Sequence, residues 1–260
     1  MIKEDIKFQN STVFEGMTSI RSIIKGNELR VNDRKIERIL FDKEKYQKNA
    51  KNIAYLKAVS KNHSFDVLES NENEINEITL GSSHGGIIAI AKGRTIPCLD
   101  LNSYIKPNGF YCLIEGIEDP YNFGYSLRSL YACGCDGIIL PERNWMSAAG
   151  VVARSSAGAS ELFPVFTSDT ERAVDIFHSL NYSVICADER TDNILGECEI
   201  KLPLLLIVGG EKRGISKNLL NKTDMSIKIN YAREFKASLS AASATTMFAY
   251  EIMRQNKKLP

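Results

Sequence analysis

The chain has 260 residues, 43% hydrophobic and 25% charged, with a formal net charge of +1. Those proportions fit one or two folded domains and exclude a disordered or membrane-embedded chain. Six cysteines without C-x-x-C spacing, and three histidines none of which stands beside a cysteine pair, leave no pattern for a zinc site, so no metal is expected.

The charge is unevenly spread. Residues 1–61 carry 14 Lys/Arg against 8 Asp/Glu, residues 62–97 carry 2 against 5, and residues 98–260 carry 17 against 19. A basic first part beside a near-neutral remainder suits a module that docks on a polyanion, and equally a solvated set of lysines. The N-terminus has no apolar core followed by a small-residue cleavage site, and the apolar run at 202–208 is far too short to span a bilayer. A cytoplasmic protein without membrane association is expected.

Periodicity predicts helices over 17–27 and 44–61, strands at 36–41 and 65–68, a short helix over 71–79 and a strand at 87–91. This small α/β unit, residues 1–91, runs into a turn-rich linker over 92–108. A second domain, 109–260, follows. Its predicted strands lie at 110–114, 137–140, 162–166, 182–187, 204–208 and 225–229. Helices are expected over 124–133, 146–154, 169–180 (capped by Ser168 or Asp169) and 238–254. Alternation of this kind argues for a mostly parallel sheet covered on both faces.

Three short segments sit at the ends of these strands or at the start of the last helix. The first is Asp119-Pro-Tyr-Asn122-Phe-Gly124-Tyr-Ser-Leu-Arg128. A helix beginning near Phe123 would put Asn122 at its cap and Arg128 in its second turn. Asn offers a donor and an acceptor, and Arg a rigid fork for phosphate. The alternative is an N-cap Asn with a surface Arg. The second is Gly209-Gly210-Glu211-Lys212-Arg213-Gly214, where paired glycines permit close backbone approach to a ligand and Ser216 is placed to cap the next helix. Ile215 stands where a phosphate-binding loop needs lysine, and no G-x-G-x-x-G follows the first strand of the second domain, so triphosphate and dinucleotide sites are poorly supported. The third is Ser238-Leu239-Ser240, opening a stretch of small residues that also reads as a packed Ala/Ser-rich helix.

In this order and spacing the segments resemble the SpoU (TrmH) branch of the SPOUT superfamily, S-adenosylmethionine-dependent RNA ribose 2′-O-methyltransferases. Gly16, the helix–strand alternation and Ser83-His84-Gly85-Gly86-Ile87 resemble the L30e-like RNA-binding domain often fused to them. The resemblance implies a C-terminal parallel-sheet SPOUT fold with a deep trefoil knot, an exception to unknotted topology. It implies S-adenosylmethionine as cofactor, held by Val208, Gly209, Gly210, Glu211, Gly214, Ile229, Ser238, Leu239 and Ser240. It casts Asn122, Arg128, Glu211 and Ser238 as catalytic, without a metal. A guanidinium is a poor base, so Arg128 is expected to stabilise the developing alkoxide and grip a phosphate. It further implies RNA as substrate, ribosomal rather than transfer RNA, and a homodimer. The segment Arg154-Ser-Ser-Ala-Gly-Ala159 resembles a family segment near the site. Two positions depart from the family: Ser240 replaces an Asn and Ala242 a Ser. They leave open a protein that keeps the fold and binds RNA without catalysis.

Overall fold

A computed structural model of the protein describes residues 11–80, 84–142, 148–210 and 214–256. The chain divides into two compact units, one containing residues 11–95 and 148–162, the other 96–142 and 163–256. Among the described residues no helix is long and apolar enough to cross a membrane.

In the first unit, β1 (Ser11–Glu15) leads into α1 (Gly16–Glu28), β2 (Ile36–Asp42), α2 (Tyr46–His63), β3 (Asp66–Ser70), α3 (Glu72–Ile78) and β4 (Ile87–Lys92). The sheet order is β1-β4-β2-β3, with β2 and β3 parallel and β4 antiparallel to both its neighbours. Alternation along β4 divides the core into two layers. Ile87, Ala89 and Ala91 pack with Ile20, Ile23 and Ile24 of α1 and Ile53 and Leu56 of α2, whereas Ile88 and Ile90 pack with Ile75 of α3. Strand β1 was not expected from the sequence; it pairs Ser11–Glu15 with β4 and fills the edge.

A later helix, α5 (Ala149–Ser155), belongs to this unit and packs on β1 and α1. Behind it Glu161 is clamped by Arg34, whose Nε lies 2.9 Å from Oε2, with both side chains under 5% exposed. Asn32 Nδ2 also donates to Glu161, and Arg94 donates to the carbonyls of Ser160 and Val31 at 2.9 and 3.1 Å. Burial alone would push the Glu161 carboxyl up; Arg34 and Arg94 outweigh it and hold the group below its usual range.

The second unit contains β5 (Phe110–Glu115), α4 (Pro120–Ala132), β6 (Gly137–Leu140), β7 (Val165–Thr167), α6 (Thr170–Ser179), β8 (Ser183–Ala187), β9 (Leu204–Gly209), α7 (Lys217–Leu220), β10 (Met225–Ile227) and α8 (Ala241–Gln255). All six strands are parallel, in the order β10-β8-β9-β5-β6-β7. Strands buried on both faces read as unbroken apolar runs, as 204–208 does. Tyr111, Leu113, Leu205 and Ile207 pack with Ala173, Val174 and Phe177 of α6. On the other face α8 meets β9 and packs along α4.

Several boundaries differ from the sequence reading, each for a local reason. The helix expected from 124 starts at Pro120, because Asp119 accepts the Asn122 N–H and proline suits the first helical position. Asn122 is therefore inside the first turn and not at the cap, and Arg128 falls in the third turn. The strand expected at 162–166 is Val165–Thr167, because a 3₁₀ turn at Ala159–Glu161 uses up the chain before it. The last helix begins at Ala241 and not at 238: the Ser240 hydroxyl caps it by accepting the Ser243 N–H at 3.1 Å. The strand expected over 225–229 ends at Ile227. Residues 96–108 are held to the second unit's edge, where Leu99 is buried and its N–H donates to the Thr167 carbonyl at 2.8 Å.

Candidate active site

From β5 the chain winds outwards through β6 to β7, then crosses to β8 and returns to place β9 beside β5. The winding direction thus reverses between β5 and β9. In an open parallel sheet, the crevice beyond the carboxyl ends of two such strands is where ligands sit. Here those ends are Glu115 and Gly209, paired in register.

Glycines set the shape of this crevice. A side chain on Gly210 would put its Cβ 2.1 Å from the Gly116 carbonyl oxygen, and one on Gly209 would lie 2.6 Å from the Gly214 carbonyl carbon. The sequence reading gave the paired glycines to ligand approach; the contacts show that neighbouring backbone already requires them. Gly116 itself has φ +89°, a left-handed conformation that suits glycine. The Gly214 N–H donates to the Gly210 carbonyl at 2.9 Å, and Glu115 Oε2 accepts the Ser216 N–H at 3.2 Å. The end of β5 and the segment after β9 are thereby tied together. Ser216 occupies the cap position of α7 without a side-chain capping bond.

The structure sets Gly210 against the Gly116 turn and Gly209 against Gly214, with Val208 buried beside Ile114 and Gly214 exposed. Glu211, with Lys212 and Arg213, lies outside the described residues. Ile229 is half-buried, two residues past β10, which pairs with β8 and not with β9. Ser238 is exposed, while Leu239 and Ser240 are half-buried just before α8; the Leu239 N–H donates to the Tyr231 hydroxyl at 3.2 Å. Asn122 and Arg128 are separated by six helical residues, about 9 Å along the axis and about 120° around it. They therefore look out in different directions. Asn122 is half-buried and its carbonyl accepts the Ser126 hydroxyl at 2.8 Å, whereas Arg128 is exposed and makes no ion pair among the described residues.

Arg128 shares its face of α4 with Tyr121 and Tyr125, at helical spacing of three and four residues. On α8, Met247 and Tyr250 are likewise exposed, and a hydrogen bond of 2.6 Å between Ser129 and Thr246 joins the two helices. The buried face of α8 is mostly small, with Ala241, Ala242, Thr245 and Ala249, which lets α4 approach closely. Sequence reasoning missed Glu115 and Gly116; an apolar run ending in Glu-Gly was the available signal. It also missed the cap, Asp119, which Asp-Pro at a helix start announces.

Residues 109–250 match the sequence model of the SpoU rRNA Methylase family. Over 148 residues the chain is 30% identical to a protein of Staphylococcus haemolyticus assigned to the TrmH family of tRNA/rRNA methyltransferases; the match covers 56% of this chain and 59% of that protein. Its fold is similar to that of an AdoMet-bound rRNA methyltransferase from Sinorhizobium meliloti, with TM-score 0.78 at 21% identity, over 100% of this chain and 95% of the other. It is also similar to the SpoU methyltransferase AviRb from Streptomyces viridochromogenes in complex with AdoMet, with TM-score 0.76 at 19% identity, over 97% and 93% of the two chains. At these identities the likeness establishes the fold.

Proposed function

Since the chain belongs to the SpoU rRNA Methylase family, we propose that it transfers a methyl group from S-adenosylmethionine to a ribose 2′-hydroxyl of RNA. The observation that carries this reading is the crevice at the β5/β9 reversal, which falls within the matched residues and is walled by backbone at Gly116, Gly209 and Gly210. A fold-related chain described as an RNA 2′-O ribose methyltransferase supports the ribose specificity. Ribosomal RNA is favoured by extent. The two rRNA methyltransferase structures from S. meliloti cover 99 and 100% of this chain, whereas two structures described by tRNA modification cover 58%.

The residues at the crevice fit the cofactor. Backbone polar groups at 209–210 lie beside apolar Val208 and near an exposed Gly214, around which a side chain would meet open space. In our reading these residues hold S-adenosylmethionine, together with Glu211, Ile229 and Ser238–Ser240. The bound cofactor would supply an electrophilic methyl on a sulfonium. Arg128 grips a phosphate beside the target ribose and stabilises negative charge growing on its 2′ oxygen. Asn122 and Ser238 complete the ribose pocket. Ser240 caps α8 with its hydroxyl, so the departure from the family's Asn leaves the start of this helix intact.

The same reading includes a homodimer through α4 and α8. Tyr121, Tyr125, Met247 and Tyr250 form an exposed apolar strip of the kind that marks an interface, and Arg128 lies within it. In a two-fold pair each Arg128 then serves the partner's crevice. The first unit, with its basic excess, docks the RNA.

The test is transfer of labelled methyl from S-adenosylmethionine to ribosomal RNA, followed by mapping of alkali-resistant linkages. One modified ribose is expected; no incorporation into ribosomal or transfer RNA would overturn the reading. Mixing Arg128→Ala chains with Gly210→Ala chains should restore activity in the heterodimer, and a fully active monomer in light scattering would dismiss the dimer.

A further inference from the structure

The first unit's sheet carries charge of opposite sign on its two faces. The face covered by α1 and α2 shows Arg21 and Lys25 on α1, and Lys48, Lys51, Lys57 and Lys61 on α2. Helix α2 contains no Asp or Glu over its 18 residues. The opposite face is covered by α3, whose charged residues are Glu72, Glu74 and Glu77, with no Lys or Arg. The two layers are distinct, because α1 and α2 pack on one side of β4 and α3 on the other.

Helical geometry sharpens the asymmetry. At 100° per residue, the buried positions of α2, Asn49, Ile53 and Leu56, cluster within about 60°. Lys61, Lys51 and Lys48 lie on the half-cylinder opposite them and Lys57 at its edge, along about 20 Å of axis. All four are exposed, and none makes an ion pair among the described residues. Other lysines of the same unit do pair: Lys25 with Glu28, Lys45 with Glu72 and Lys92 with Glu37. Four like charges on one helix face repel one another and weaken the helix slightly, a cost that an anionic partner would remove. Beside them Arg21 is held by Asn52, which accepts from its Nη2 at 3.2 Å, and by the Tyr55 ring 5.0 Å from its guanidinium carbon. A groove of about 400 Å³ runs between the two helices, lined by Arg21, Ile24, Lys25, Glu28 and Tyr55.

We infer that the exposed lysine face of α2, extended by Arg21 across the groove, is the surface on which the first unit holds the phosphate backbone of RNA. The inference rests on the RNA-methylating reading above and names where the substrate is gripped. The α3 face repels the same backbone, so the unit presents one side of its sheet to the RNA. The contact is to phosphates, because lysine ammonium groups on a regular helix read charge and spacing and not bases. It holds the substrate without choosing the nucleotide.

The experiment compares the full-length protein with a variant carrying Lys48→Gln, Lys51→Gln, Lys57→Gln and Lys61→Gln. Glutamine keeps helix propensity and the sites are exposed, so the variant should fold, with unchanged melting and unchanged S-adenosylmethionine binding. Binding to purified ribosomal RNA is titrated at several salt concentrations. Each phosphate contact contributes about 0.7–0.9 to the slope of log affinity against log salt, so the four changes should flatten it by about three. A second variant, Glu77→Lys, adds a positive charge on the opposite face and should leave the slope unchanged. An unflattened slope in the quadruple variant, with methyl transfer by the natural protein intact, overturns the surface and spares the enzymatic reading. A steeper slope in Glu77→Lys would mean diffuse attraction and also overturns it. If the natural protein neither binds S-adenosylmethionine nor methylates RNA, the enzymatic reading fails and the inference with it.

Discussion

The first unit also sets glycines against backbone, at Gly26 and Gly150, and adds to its apolar layers a buried ion pair, Arg34 with Glu161; outside it exposes lysines of α2 that make no ion pair among the described residues. The second closes its core with apolar strands and backbone-to-backbone glycine contacts, and leaves tyrosines and a methionine outside. A buried ion pair holds a distant segment in one place at a desolvation cost, and fails badly when one partner is lost. Glycine contacts hold a crevice to a fixed width and fail when any side chain is added. The outer surfaces follow the same division: lysines suit a polyanion, and exposed aromatics suit another apolar surface.

The largest expected effect breaks the first arrangement alone. Glu161→Ala leaves Arg34 and Arg94 buried without their carboxylate and should cost about 3–5 kcal/mol, measured by calorimetry, with S-adenosylmethionine binding by the second unit retained. Its pH dependence has a definite sign. The folded-state pKa of Glu161 is depressed, so its contribution is present above the unfolded carboxylate value of about 4.3 and is lost as pH falls through the lower folded value. The stability gap between natural protein and Glu161→Gln should therefore narrow below about pH 4; a gap that widens there would refute the clamp.

Next comes Arg128→Ala, which tests the outer surface of the second unit. Methyl transfer should fall about 10²–10³-fold, with cofactor affinity and melting nearly unchanged. Near-normal turnover would remove Arg128 from the site. Gly210→Ala tests the crevice itself. Its Cβ must displace the Gly116 carbonyl, at a cost of about 1–3 kcal/mol, and S-adenosylmethionine binding measured by calorimetry should weaken at least tenfold. Unaltered affinity would separate the glycine contact from cofactor binding.

The smallest effect concerns the start of α8. Ser240→Ala removes its cap and should cost about 1 kcal/mol, whereas Ser240→Asn should be nearly neutral in stability, because either side chain accepts the Ser243 N–H. Equal melting of the Ala variant and the natural protein would show the cap to be dispensable.

The parallel sheet was legible because strands buried on both faces leave continuous apolar runs, as at 110–114 and 204–208. The motifs were legible as short groups of Gly, Asn, Arg and Ser at strand and helix ends. What escaped was set at long range. Strand β1 is five residues recognisable only by their pairing with β4, and the clamp joins residues 127 apart in sequence. The demand for glycine at 210 escaped for a different reason: it comes from the Gly116 carbonyl, on the turn after a neighbouring strand. Boundaries at Pro120 and Ala241 moved because single side chains, Asp119 and Ser240, decide where a helix begins.

The clamp imposes an order on biosynthesis. Arg34 is made 127 residues before the carboxylate that neutralises it. At about 5–20 residues per second, that interval lasts about 6–25 s. During it β5 and β6 of the second unit are translated, while the first unit still lacks α5 and Glu161. The first unit is therefore complete only at residue 162, after two strands of the second unit have been made but before its last helix, α8, is translated. A fragment ending at residue 91 would remain in that waiting state permanently.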